Sequence, residues 1–393
     1  MATPQQRPEL RLLASELVRL RGQTSLDAIV GRIDHLARHG RCAPISKGTL
    51  LNAEKAQRAP GIDKLAAMAL AYGVSPGELA DLVGEGLLTA RFAREPTFDA
   101  SVTAFHRSAG DEDWGAAIAH ARQAETLAPS ASLRRRWRAN RALAMESCGL
   151  LRPALAAIDG CLAELEEDPP ACSLLSTRAG IQAGLGRFED ALDSISKARR
   201  LVPSDLEPER RWSIAWTHLR ILLLQEQSRK ERGLESAIDR DELLMVVDRL
   251  HAATEKSREP AHQLWSELYI ALSREHFGQP QAGLVGLRSV LEVARLRGLR
   301  RLEVYARLNM GMLQSSLGEI EQAEIQLARA AELAEEDGRF AEAFRAHFEL
   351  HRLAREEPER AAVHLRACVR LRPYVRDATD AAGFDEMVGR ADG

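Results

Sequence analysis

The chain is poor in several things, and each shortage removes a class of explanation. Aromatic residues are 5% of 393 positions. Runs of β-branched residues are scarce, while Ala, Leu, Arg and Glu dominate. These are strong helix formers, so a β-rich fold is set aside and an all-α fold is expected. The five cysteines, Cys42, Cys148, Cys161, Cys172 and Cys368, are odd in number and contain no CxxC pair. That argues against a disulfide framework or a zinc site and for a reducing, cytoplasmic setting. No apolar run approaches the length of a membrane span, and the opening MATPQQRPEL lacks the apolar stretch of a signal peptide.

Sequence signatures of chemistry are missing too. There is no GxxxxGK phosphate loop and no GxSxG elbow. His347 and His351 lie four apart on one helix face, but HFELH misplaces the Glu of the HExxH zinc motif. No catalytic residue, metal ligand or cofactor site is therefore expected, and the chain is not read as an enzyme. The formal charge is −3, and residues 1–90 carry 11 Lys and Arg against 9 Asp and Glu. That permits nucleic-acid binding at the N-terminal end without demanding it.

What is present is helical periodicity. Leu10, Leu13, Leu17 and Leu20 share a face that Gly22 closes. Thr24 is the expected N-cap of a second helix carrying Leu26, Ile29, Ile33 and Leu36, stopped near Gly40. A third helix is expected from Lys47 to about Gln57, capped by Ser46, with Leu50 and Ala53 inward and Pro60 beyond its end. Ile62, Leu65, Ala69 and Leu70 mark a fourth, closed by Gly73. Ser75, Pro76 and Glu78 then open a fifth with the signature of a capping box, running to about Val83.

Five short helices in this order resemble the helix-turn-helix domain of xenobiotic-response-element-type repressors. The residues that carry the resemblance are Glu16 through Gly22, Ile45 through Leu50, Glu54 and Lys55 with Pro60, and Leu65 through Leu79. The chain departs from the family at Ser25, where Gln is usual. It also departs at Ala56, where Gly is common, and across 35–44, which is longer than the family's tight turn. The resemblance implies that Ser46, Lys47, Thr49 and Asn52 meet base edges of double-stranded operator DNA. Lys and Asn suit guanine and adenine acceptors there. Lys55 and Arg58 would then meet phosphates.

Beyond residue 97 small residues recur seven apart. The pairs are Ala117 and Ala124, Ala154 and Cys161, Ala191 and Ala198, Ala323 and Ala330, and Ala361 and Cys368. Gly149, Gly186 and Gly318 stand five before the first member, and Pro129, Pro203 and Pro373 twelve after it. This resembles the tetratricopeptide repeat, with 186–203 the clearest copy and about seven units in all. The expected architecture is an N-terminal five-helix helix-turn-helix domain (1–86), a linker (87–96), a tetratricopeptide-like α-solenoid (97–373) and a C-terminal cap (374–393).

Carried over residue by residue, the repeat register implies a peptide groove containing Arg136, Asn140, Trp265, Tyr269, Tyr305, Asn309, Met312 and His347. The two-part layout resembles the peptide-pheromone receptor regulators of bacteria. That resemblance implies a homodimer acting on DNA under the control of a peptide or protein ligand, with no membrane partner. A tetratricopeptide adaptor whose first domain docks protein is the alternative reading. The basic clusters Arg134 to Arg136 and Arg297 to Arg301 are read as solvated, or as contacts for a phosphate or an acidic partner.

Overall fold

The computed structural model describes residues 7, 10–39, 42–58, 60, 62–74, 79, 82–83, 85–86, 89, 92, 95–110, 113–165, 171–203, 206–236, 238–337, 339–372 and 384. Among them lie eighteen α-helices and no strand. The chain divides into two compact units, residues 1–163 and 164–393. The first two repeat-like helix pairs therefore belong with the N-terminal helices. The expected fifth helix falls mostly outside the described residues, as do most of the expected linker and nearly all of the C-terminal cap.

In the first unit α1 (Arg11–Arg21), α2 (Leu26–Arg38), α3 (Lys47–Glu54) and α4 (Ile62–Tyr72) enclose one core. Leu13 and Leu17 of α1 meet Ile29 and Ile33 of α2, Leu50 and Ala53 of α3, and Leu65 and Met68 of α4. Gly22 ends α1 with φ +54°, as its sequence position suggests. The cap of α2 is Ser25 rather than Thr24. Its hydroxyl accepts from the Ala28 amide at 3.2 Å, which explains a Ser at that position.

Helix α3 stops at Glu54, three residues short of Gln57. The reason is Ala56, whose φ of +54° is left-handed. For an L residue that geometry costs about 1–2 kcal/mol. Ala56 offsets part of it by burying its methyl against Leu10, Ala14 and Val83.

The same unit continues with α5 (Phe98–Gly110), α6 (Trp114–Leu127), α7 (Ala131–Ser147) and α8 (Leu151–Ala163). Asp113 and Ser130 cap α6 and α7 through the amides of Ala116 and Leu133. The second unit holds α9 (Ala171–Gly184), α10 (Phe188–Arg200), α11 (Pro208–Glu231), α12 (Arg240–Thr254) and α13 (Pro260–Ser273). It closes with α14 (Pro280–Leu296), α15 (Arg300–Ser316), α16 (Ile320–Glu336), α17 (Phe340–Leu353) and α18 (Pro358–Leu371). Helix α11 runs on to Glu231 and α12 begins at Arg240.

Along α5–α8 in the first unit and α9–α18 in the second, consecutive helices form antiparallel pairs of the tetratricopeptide-like kind. In the second unit the first helix of each pair also touches the first helix of the next: α9 with α11, α11 with α13, α13 with α15, α15 with α17. The small residues spaced seven apart are all buried on second helices. Glycines do the same work on α14 and α15. A Cβ on Gly286 would lie 2.8 Å from the Ala271 methyl, and one on Gly311 2.6 Å from Leu327 Cγ. These backbones approach closely because nothing larger than hydrogen intervenes.

No helix among the described residues is long and apolar enough to cross a membrane.

The close approaches give a contrast between two glycines. Gly311→Ala overpacks the α15–α16 seam and is expected to destabilise the second unit by about 1–3 kcal/mol. Gly31→Ala, in an exposed turn of α2 with nothing within 4 Å, is expected to stabilise by about 0.5–1 kcal/mol. Urea unfolding of both variants checks the opposite signs.

Candidate functional site

Helix α3 is fixed from behind. Glu54 is nearly buried and accepts from Arg21 Nε at 2.9 Å and from the Tyr72 hydroxyl at 3.2 Å. One carboxylate thus joins α1, α3 and α4. Burial pushes the Tyr72 phenol well above its usual pKa, and the Glu54 charge and hydrogen bond push it further, so it stays a donor. Leu50 and Ala53 fill the core beneath. The face bearing Lys47, Thr49 and Asn52 therefore cannot turn without breaking a buried ion pair.

The six expected residues on and around α3 divide by state. Ser46 is the N-cap: its hydroxyl accepts from the Thr49 amide at 3.2 Å and pairs with the Thr49 hydroxyl at 3.0 Å. Lys47 Nζ donates to Asp27 Oδ2 at 2.8 Å, both side chains being exposed. An exposed pair of this kind is worth little and is readily exchanged for another anion. Asn52 is half-buried, and Lys55 and Arg58 are exposed. Neither of these two cations makes an ion pair among the described residues. The long connection 39–46 is anchored by Ile45, which is buried, and by the Cys42 thiol near the Ile33 carbonyl.

The second unit carries a ladder of rings along three successive first helices. Trp212 stacks on His262 with centroids 3.7 Å apart and lies 5.6 Å from Trp216. Trp216 meets Tyr269 edge-on at 5.4 Å, Tyr269 lies 6.5 Å from Trp265, and Trp265 meets Tyr305 edge-on at 5.4 Å. Two guanidiniums lie over these faces: Arg220 over Trp216 at 5.6 Å, and Arg301 over Trp265 at 5.4 Å and Tyr305 at 5.9 Å. Such contacts are each worth about 0.5–2 kcal/mol, more as water is excluded.

Of the expected groove residues, Trp265, Tyr269 and Tyr305 come together in this ladder. Tyr269 is the most buried of them and belongs to the core. The Asn309 amide donates to the Tyr305 carbonyl of its own helix at 2.8 Å. Met312 packs beside Leu327 and Leu350. His347 lies 2.9 Å from Glu335 of α16 and 3.2 Å from the His364 ring of α18, so it faces the second helices of two pairs. Arg136, exposed, and Asn140, half-buried, lie on α7 in the first unit.

Sequence reasoning passed over Trp212, Trp216 and Arg220, and placed Arg301 in a basic cluster read as solvated or as a contact for a phosphate or an acidic partner. A signal was there: 212, 216 and 220, then 265 and 269, then 301, 305 and 309 repeat at spacing four on three helices.

Among the described residues no group of three or more His, Cys, Asp or Glu side chains is placed to hold a metal ion.

No protein-family model matches the chain, and no curated protein matches it in sequence. Among solved structures it is similar to a Signal Transduction ATPase with Numerous Domains (STAND) protein with a tetratricopeptide repeat sensor, from Pyrococcus horikoshii. Identity is 14% and the TM-score 0.45, over 96% of this chain and 58% of that one. The chain thus spans under two thirds of that protein, and the likeness concerns helical architecture alone.

Two outcomes follow from the buried polar groups. Glu54→Ala leaves Arg21 and the Tyr72 hydroxyl without their partner and is expected to cost roughly 3 kcal/mol. Tyr72→Phe removes one bond and should cost about 1 kcal/mol. Both are read as lost hydrogen-exchange protection in α1, α3 and α4.

The other concerns His218 on α11, buried between Arg199, Arg249 and the Glu242 carboxylate. Burial, then the charges of Arg199 and Arg249, lowers its pKa to about 4. The unfolded chain therefore binds the extra proton first. Stability from this site is complete above pH ~6.5 and is lost as pH falls toward ~4, by on the order of 3 kcal/mol. Urea unfolding followed by Trp212 and Trp216 fluorescence should show that slope, and His218→Gln should flatten it.

Proposed function

We propose that the chain is a DNA-binding transcription regulator of the xenobiotic-response-element type. In this reading its repeat domain senses a peptide or protein and mediates dimerisation. The observation that carries the reading is the state of α3. Its inner face is locked by Leu50, Ala53 and the Glu54 clamp, while Lys47, Thr49 and Asn52 stand on the rest of the helix and Lys55 and Arg58 follow beyond its end. A recognition helix needs that division, because base readout requires side chains held in fixed register on a rigid support.

In the proposed mechanism Lys47 leaves Asp27 for the DNA, an exchange between two screened ion pairs that costs little. Asn52 reads a base edge, and Lys55 and Arg58 set the register on phosphates. Ser46 and Thr49 hold the first turn of α3. The ladder of the second unit supplies the ligand surface, with no cofactor. A ligand that prefers one arrangement of the first helices would shift the dimer toward one half-site spacing.

The adaptor reading draws on the same Lys47–Asp27 pair, since a neutralised cation suits protein docking as well as DNA. Selection from random duplexes with the full chain, followed by salt titration, separates the two. The expected result is an enriched site whose affinity falls steeply with salt. Asn52→Ala should cost about 1–3 kcal/mol and relax one position, whereas Lys55→Ala should weaken all sequences alike. Asp27→Asn frees Lys47 and should tighten binding. No enriched site, or a site indifferent to Lys47→Ala and Asn52→Ala, would leave the adaptor reading.

A further inference from the structure

Single apolar residues on a surface are ordinary, but four here fall at one register of the repeat. On α12, α14, α16 and α18 the buried seam positions seven apart are Leu243 and Leu250, Gly283 and Val290, Ala323 and Ala330, and Ala361 and Cys368. Two residues after the first of each pair stand Met245, Val285, Ile325 and Val363, exposed by 50%, 64%, 58% and 53%. On α10 the same position is Asp193, paired with Lys197. An apolar row thus crosses four successive second helices, on the side turned away from their seams, and lies open to water.

Charges frame that row in a fixed order. Four residues earlier on the same helices stand Asp241, Gln281, Glu321 and Glu359, all exposed. Three or four residues later stand Arg249, Arg288, Arg329 and Arg366, also exposed, with Asp248 beside Arg249. Helix starts favour acids, so the first of these rows alone would mean little. The arginines lie mid-helix, where the dipole favours neither sign. Arg329 pairs with Glu332 of its own helix at 2.8 Å. The other three arginines, and Asp241, Glu321 and Glu359, make no ion pair among the described residues. At 1.5 Å per residue the acidic row lies about 6 Å to one side of the apolar row, and the basic row about 4.5–6 Å to the other. Rotation by half a turn about the apolar row therefore exchanges the two charged rows. Two copies brought together on that axis set apolar on apolar and acid on base. A two-fold axis along the helices would instead set acid on acid.

We infer that a second copy of the chain docks on this face, the two second units running in the same direction about a two-fold axis along Met245, Val285, Ile325 and Val363. Such a contact is isologous: Glu359 of each copy meets Arg366 of the other, and Glu321 meets Arg329. The inference rests on the reading that the repeat domain mediates dimerisation. It adds the face and the symmetry, and it leaves the rings on the first helices to a ligand.

The test is sedimentation of the full chain over a range of concentrations. A dimer is expected. Ile325→Asp should raise its dissociation constant roughly tenfold or more, because it sets two like charges together in the centre of the contact. Glu359→Arg and Arg366→Glu should each weaken it several-fold, and both together in one chain should restore it. Met245→Cys and Val363→Cys, at the two ends of the row, report direction with a bifunctional maleimide. Each is expected to link to its own copy, whereas a reversed arrangement links only a mixture of the two. The unsubstituted chain controls for the half-buried Cys42 and Cys148.

A dimer indifferent to Ile325→Asp and to the charge exchange overturns this face and leaves dimerisation standing. Links formed only in the mixture overturn the symmetry, and the inference with it. A chain that stays monomeric at high concentration removes both the face and the dimerising role proposed for the repeat domain.

Discussion

From Phe98 to Leu371 each helix has an apolar face that it cannot cover alone, and the fold depends on how near a neighbour's backbone can come. Ala191 with Ala198, Ala323 with Ala330, and Gly286 and Gly311 set that distance. Where a methyl or a hydrogen stands at the seam, two helices meet closely enough for the flanking leucines to interdigitate. The consequence for function is indirect. Tight pairing of each first helix with its own second helix leaves the first helices to contact one another. It is along α11, α13 and α15 that Trp216, Trp265 and Tyr305 are strung.

A different constraint governs the N-terminal helices, which are too few to hold α3 by apolar burial alone. There one carboxylate, Glu54, ties three helices, with Leu50 and Ala53 as the apolar floor. A buried ion pair contributes more to the uniqueness of an arrangement than to its stability, and orientation is what a readout helix needs. The left-handed Ala56 belongs to the same logic. It ends α3 directly after Glu54 and carries the chain back against Leu10 and Ala14.

Both candidate sites keep some of their polar capacity uncommitted. Lys47 is held only by an exposed, screened partner, and Lys55 and Arg58 make no ion pair among the described residues. Arg301 Nε and Trp216 Nε1 are buried without acceptors. Arg307, by contrast, is bound to the Glu303 carboxylate of its own helix.

Local rules in the sequence determined much of this. The 3.6-residue periodicity gave the all-α class, and Gly22, Ser46 and Asp113 stand where their preferences put them. The seven-residue spacing of Ala and Cys located the second helices, because a small side chain at a seam is a requirement of contact and not of context. Other features needed the tertiary structure. Ser25 rather than Thr24 caps α2, since two adjacent hydroxyl residues are equivalent until the chain's path selects one. Ala56 stands where the resembled family commonly has Gly, but an Ala does not by itself announce a left-handed turn, and burial against Leu10 and Ala14 accompanies it there. That Glu54 faces inward, that Lys47 meets Asp27, and that Arg301 lies on Trp265 without a carboxylate are pairings across 18 to 36 residues of chain. Periodicity assigns a residue to a face of its own helix, and only packing decides what that face meets.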